Sequence, residues 1–140
     1  GKEAVYKKVK QIPSNYFDIV FSNLVICIVN KAQVREILKT INCALIQNGI
    51  AFVGFCNPLK FNIPESSLQR RFISELPYEE EHQYKKIIRE GNFEITEQHR
   101  PLSFYEQIFS RGGFKIEDVR ISEGDADFII YKLRKVNHEK

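Results

Sequence analysis

The stretch Tyr16–Val29, YFDIVFSNLVICIV, is the most apolar in the chain, and only Asp18, Ser22 and Asn23 interrupt it with plainly polar groups. Its first part, Phe17 to Phe21, is short, β-branched and aromatic, which predicts a buried strand. The pair Ser22-Asn23 predicts that the strand stops there and the chain turns out of the sheet. Asn30, with Gln33 at the third helical position, has the pattern of a capping box. Val34, Ile37, Leu38, Ile41 and Leu45 then fall on one face of an amphipathic helix. Asn48-Gly49 supplies a left-handed stop. Ile50 to Cys56, IAFVGFC, reads as a second buried strand ended by Asn57-Pro58. Strand, helix and strand with tight joints make a βαβ unit, so the two strands are expected to be parallel and joined right-handedly.

Outward from this unit the pattern loosens. Residues 1–15 are basic and polar, with a turn signal at Pro13-Ser14-Asn15. Between Pro64 and Pro77, ESSLQRRFISEL predicts one short helix in a long excursion. Alternation through Tyr84–Ile88 and again at Phe93 and Ile95 predicts a β-hairpin turning at Gly91-Asn92. Ser103 with Glu106 suggests a second capping box, opening a helix that buries Phe104, Ile108 and Phe109 and ends at Gly112-Gly113. FKIEDVRIS and DADFIIYKLR are the last strands, and the short EGDA between them requires antiparallel neighbours.

The 140 residues fit one domain, 1–140, in which 59–101 is an excursion with a helix and a hairpin. With 43% hydrophobic and 28% charged residues, the composition excludes a disordered chain and a membrane bundle. A net charge of +3 is too small to argue for nucleic acid. Cys27, Cys43 and Cys56 match no zinc spacing and read as small buried hydrophobes or unoxidised thiols in a reducing, cytoplasmic setting. No signal peptide is visible, and the longest apolar run is too short to span a bilayer. Methionine is absent even at position 1, so the chain is expected to be a processed product or a piece of something longer.

The order of elements, with these residues, resembles the C-terminal half of a class I S-adenosylmethionine-dependent methyltransferase. That family has a seven-stranded sheet in the order 3-2-1-4-5-7-6, with strand 7 antiparallel. YFDIVFSNLVICIV is similar to its fourth strand and following loop, and VREILKTINCALIQNGIAFVGFCNP to the next helix and fifth strand, with Leu45–Gly49 standing where LKPGG is usual. HRPLSFYEQIFSRGGFKIEDV resembles the next helix and sixth strand, and ADFIIYKLR the seventh. The resemblance covers nearly all of residues 10–135. It implies an α/β, partial Rossmann-like fold, β-α-β-(hairpin insertion)-α-β-β, whose mixed sheet corresponds to strands 4-5-7-6 with the last strand antiparallel. The departures are equally specific. The seven glycines form no GxGxG, three upstream strands have no room, and the place of the family's adenine-reading Asp falls near Lys8.

What the resemblance implies about function follows the same split. Ser22, Asn23 and Leu24 would line S-adenosyl-L-methionine near its methionine part, at the point where strand order reverses. The bland alternative is that they satisfy loop backbone. His99 is the candidate general base, having an imidazole suited to proton transfer near neutrality. His82, Tyr84, Arg100 and Tyr105 are the acceptor-side candidates, although Arg100 could instead pair with Glu97. Glu79-Glu80-Glu81 is rejected as a metal site because adjacent side chains diverge, and no metal is expected. Lys7, Lys8 and Lys10 could touch phosphate but lack interleaved aromatics.

Methyl transfer to an unidentified acceptor, on the resemblance a small molecule, would need the N-terminal half from the same or another chain. The alternative is a non-catalytic module that associates through its bare sheet edge, as a homodimer or with a partner. An RNA-associated role ranks third.

Overall fold

The computed structural model describes residues 3–58, 69–72, 82–88, 93–122 and 128–136. A short 3-10 turn at Val9–Gln11 leads into β1 (Phe17–Asn23), α1 (Lys31–Ala44) and β2 (Leu45–Cys56). The strands β3 (Gln69–Phe72), β4 (His82–Ile88) and β5 (Phe93–His99) follow, then α2 (Leu102–Arg111), β6 (Phe114–Ile121) and β7 (Phe128–Lys135). β1, β2, β7 and β6 form one mixed sheet in that order, and β3, β4 and β5 form a second, antiparallel one. β1 is parallel to β2, and β7 runs antiparallel to both β2 and β6. The arrangement is the expected partial Rossmann-like one, with the 4-5-7-6 order intact.

Local chemistry sets the element ends. Asn30 caps α1 as its sequence requires. Its Oδ1 accepts from the Gln33 N–H at 2.9 Å, and Gln33 Oε1 accepts from the Asn30 N–H at 3.0 Å. Val34, Leu38 and Ile41 turn inward, and the helix stops at Ala44, four residues before Asn48. Leu45 passes directly into β2. The register Phe17↔Leu45 followed by Ile19↔Ile50 sets Ile46–Gly49 against Asp18 alone, so the residues expected to stop a helix instead loop out of a strand. Asn48 takes the left-handed conformation, φ 62°, and Gly49 does not. Gly49 is needed for space: a Cβ there would lie 2.9 Å from the Ile46 carbonyl and 3.2 Å from that of Asp18.

Two other expectations are corrected. QRRF, inside the stretch expected to be helical, is β3, paired with β4 from Gln69↔Ile87 to Phe72↔Tyr84. The strand neighbour overrides a weak local helical preference; the rest of ESSLQRRFISEL lies outside the described residues. Ser103 does not cap α2. Pro101 occupies the N-cap without a side-chain bond, and Ser103 sits exposed in the first turn. Glu106 is drawn elsewhere, accepting from the Tyr131 hydroxyl at 2.8 Å. The hairpin is present as β4 and β5, with Ile88↔Phe93 the innermost pair. Its turn at Gly91-Asn92, the run Glu79–Glu81 and the EGDA loop lie outside the described residues.

The core lies on one face of the four-stranded sheet. Ala51, Val53 and Phe55 of β2 and Ile129, Tyr131 and Leu133 of β7 meet Val34, Leu38, Tyr105, Ile108 and Phe109 of the two helices. Phe55 stands between Tyr105 and Tyr131, at ring separations of 4.2 and 5.8 Å. Lys135 closes the end of this layer: its Nζ donates to the carbonyls of Asn42 at 2.6 Å and Leu45 at 2.8 Å, where α1 leaves its last acceptors. The opposite face is different. Phe21 stacks on Phe52 at 5.1 Å yet is 74% exposed, and Ile19 and Ile130 are also exposed. Among the described residues β1 is therefore an edge strand with an exposed apolar flank, not the buried strand expected from its composition.

Candidate functional site

The C-terminal ends of the parallel strands β1 and β2 lie side by side, and Ser22, Asn23 and Leu24 lie there. β1 continues beyond the expected stop: Ser22 pairs with Val53 and Asn23 with Gly54. The turn comes one residue later, where the Leu24 N–H donates to the Gly54 carbonyl at 2.8 Å and Leu24 adopts φ 57°. A left-handed leucine costs about 1–2 kcal/mol, and such strain collects at sites that need a particular exit direction. Asn23 Oδ1 lies over Gly54, in space that the Cβ of any other residue would fill. Phe21, Ser22, Asn23, Phe52, Gly54, Phe128 and Ile130 line a shallow groove of about 300 Å³ beside the free edge. Ser22 and Asn23 thus form a polar lip on an apolar groove, and Leu24 turns the chain away from it.

The loop after Leu24 is fastened from behind. Arg100, 1% exposed, donates through Nη2 to the Val29 carbonyl at 2.6 Å and through Nη1 to the Ile26 carbonyl at 3.2 Å. Its guanidinium lies 5.3 Å from the Phe104 ring and 3.5 Å from the Tyr105 hydroxyl. Tyr105 is itself 1% exposed, and burial pushes its hydroxyl up to about 12, with Arg100 pulling the other way. Arg100 therefore holds the loop from inside the protein, with the Tyr105 hydroxyl beside it. His82 and His99 are paired in register across the hairpin, as are Tyr84 and Glu97, so three of the other candidates share one ladder.

Beside Arg100 lies a group that the sequence did not single out. Cys27 in the loop, Cys56 at the end of β2 and Glu97 on β5 are all buried, with their ligand-type atoms within 4.8 Å of one another. The Cys56 thiol donates to Glu97 Oε1 at 3.2 Å, and the Gln98 N–H donates to the Cys27 carbonyl at 2.6 Å. The hydrogen bond from Cys56 holds the Cys27 thiol below the ordinary cysteine range against the opposing effect of burial. The only signal in the sequence was positional: Cys56 is the last residue of the second expected strand, and Cys27 lies in the segment that follows the first.

No protein-family model matches the chain, and no curated protein matches it in sequence. Solved structures do match its fold. A methyltransferase of Clostridium acetobutylicum, described as S-adenosylmethionine-dependent, superposes with a TM-score of 0.63 at 14% identity over 95% of this chain and 64% of its own. A Listeria monocytogenes protein provisionally given the same description reaches 0.67 at 17% identity, over 94% of this chain and 68% of its own. The 1,6-didemethyltoxoflavin-N1-methyltransferase of Burkholderia thailandensis, solved with bound 1,6-didemethyltoxoflavin and S-adenosylhomocysteine, gives 0.58 at 11% identity over 89% of this chain and 46% of its own. This chain has part of the methyltransferase fold. It spans between 46% and 68% of the length of these three methyltransferase-fold chains. In this fold β1, β2, β6 and β7 take the places of strands 4, 5, 6 and 7, and the free edge of β1 is the side on which strand 1 stands.

Proposed function

We propose that the chain is one part of an S-adenosylmethionine-dependent methyltransferase, acting on a small-molecule acceptor once the remainder of the fold lies against β1. The observation that carries this reading is the end of β1. There the strand at the fold's reversal point ends in two polar residues, Ser22 and Asn23, that line a groove beside the edge strand, and the chain turns away at Leu24. The names of the matching structures support the cofactor, and one of them holds S-adenosylhomocysteine. These residues fit one wall of such a site: uncharged polar side chains, a Gly54 that lets Asn23 lie close, and apolar surface from Phe21 and Phe52.

When bound, S-adenosylmethionine supplies an electrophilic methyl group. The protein's task is then to position the acceptor and exclude water. Ser22 and Asn23 offer hydrogen bonds to the amino-acid end of the ligand, and His99, beside Arg100, is the residue to take a proton from an oxygen or nitrogen acceptor.

Calorimetric titration with S-adenosylhomocysteine tests the proposal. The isolated chain is expected to bind weakly or not at all, and the chain joined to its upstream coding region to bind measurably, with Asn23→Ala weakening it. Absence of binding in the joined protein overturns the proposal. The apolar exposure of Ile19 and Phe21 favours one alternative, a non-catalytic module that pairs through this edge, and in that case neither form binds the cofactor.

A further inference from the structure

We propose that Cys27, Cys56 and Glu97 form a three-ligand site for a zinc-type divalent cation that staples the β4–β5 hairpin to the end of the main sheet. The residues come from three separate elements and converge in one buried place, at 1%, 8% and 4% exposure. Two thiol sulfurs and one carboxylate are a donor set that suits zinc, which accepts Cys and Glu together, and not magnesium or calcium, which require oxygens alone.

The spacing fits. Zinc bonds of about 2.3 Å to sulfur and about 2.0–2.2 Å to oxygen place two ligands of a tetrahedron about 3.5–3.8 Å apart. The Cys56–Glu97 separation is 3.2 Å, and no ligand pair in the cluster exceeds 4.8 Å. Adjustments of about an ångström or less by side chains alone would bring the three atoms onto one ion, leaving a fourth position for water or another donor.

Charge is also accounted for. Two thiolates and a carboxylate exceed the ion's charge by one, and the buried Arg100 guanidinium lies in the same region, donating to the carbonyl of Ile26 next to Cys27. The neighbouring backbone is already fixed for such a role. Gln98 donates to the Cys27 carbonyl, and Arg100 ties the carbonyls on either side of that loop, Ile26 and Val29. A backbone that need not be reorganised on binding favours a tight site. Binding exchanges two thiol protons for one cation; no electron transfer is involved. Cys43, exposed and outside the cluster, takes no part.

The test uses the 140-residue chain, stripped with a chelator, held under a phosphine reductant and titrated with Co²⁺ as a spectroscopic probe. One equivalent should produce near-ultraviolet thiolate-to-cobalt charge transfer with tetrahedral visible bands. Zn²⁺ should displace the bands and raise the melting temperature of the chain. Cys43→Ser should behave as the parent. Cys27→Ser or Cys56→Ser should lose more affinity than the roughly tenfold to hundredfold that removal of an outer partner costs. The parent chain alone decides the matter even if those variants fail to fold. A folded, reduced parent chain that gives no thiolate charge transfer, or that melts identically with Zn²⁺ and with chelator, overturns the proposal and leaves a buried hydrogen-bonded cluster.

Discussion

Lys135 shows how much can depend on one side chain. Its ammonium, largely buried, donates to two carbonyls at the end of α1 and reaches Asn15 Oδ1 at 3.3 Å before β1. Replacing it with Met keeps the stem and removes the donors, leaving buried acceptors without a charged partner. Hydrogen bonds to a charged group contribute about 1.5–3 kcal/mol each, so with two such bonds lost Lys135→Met is expected to lower unfolding free energy by about 3 kcal/mol or more in urea titration. Tyr105 makes a pH prediction. Its folded value of about 12 lies above the ordinary tyrosine value of 10.0. The folded state therefore holds this proton more tightly than the unfolded state. Its stabilisation is intact below pH 10 and is lost as pH rises from 10 to 12. Tyr131 is raised in the same direction, by burial first and then by Glu106. Tyrosinate absorbance from Tyr105 and Tyr131 should thus appear only together with the collapse of circular dichroism.

At the scale of elements, the two capping patterns in the sequence make an internal control. Asn30-Gln33 closes both reciprocal bonds, whereas Ser103-Glu106 closes none, because Pro101 takes the cap position and Tyr131 takes Glu106. Asn30→Ala is expected to cost about 1 kcal/mol. Ser103→Ala, at an exposed position inside the helix, should stay within about 0.5 kcal/mol. A pair of denaturation curves separates the two. The contrast also marks what the sequence could reveal. Helical stripes and strand runs are local properties, and α1, β2, α2, β6 and β7 were legible from them. The loop-out at Ile46–Gly49 was not, since it depends on β1 holding only Asp18 in that interval. β3 was not, since its strand state depends on β4. The Cys27–Cys56–Glu97 cluster spans seventy residues of sequence and exists only because parallel strands end together and a hairpin folds back across them. The polar lip at Ser22-Asn23 was legible as a break in an apolar run, but the turn one residue later depends on pairing with Gly54.

For the whole molecule, the asymmetry of the main sheet is the governing feature. One face is covered by both helices and carries the core. On the other, Ile19, Phe21, Phe52 and Ile130 form an apolar strip that reaches the unpaired backbone of β1 at the sheet's edge among the described residues. Apolar surface and unsatisfied strand groups side by side favour association, because a second strand meets both demands at once. Light scattering on the isolated chain is therefore expected to give a mass that rises with concentration. Phe21→Lys should reduce that rise, since it places a charge at a position already 74% exposed and so leaves the folded chain intact. On the proposed function, supplying the remainder of the methyltransferase fold should have the same effect by occupying the edge. A chain that remains monomeric at high concentration, with Phe21→Lys making no difference, would show that the edge is protected by its own twist and flanking charges. The free side of β1 would then bear on cofactor binding alone.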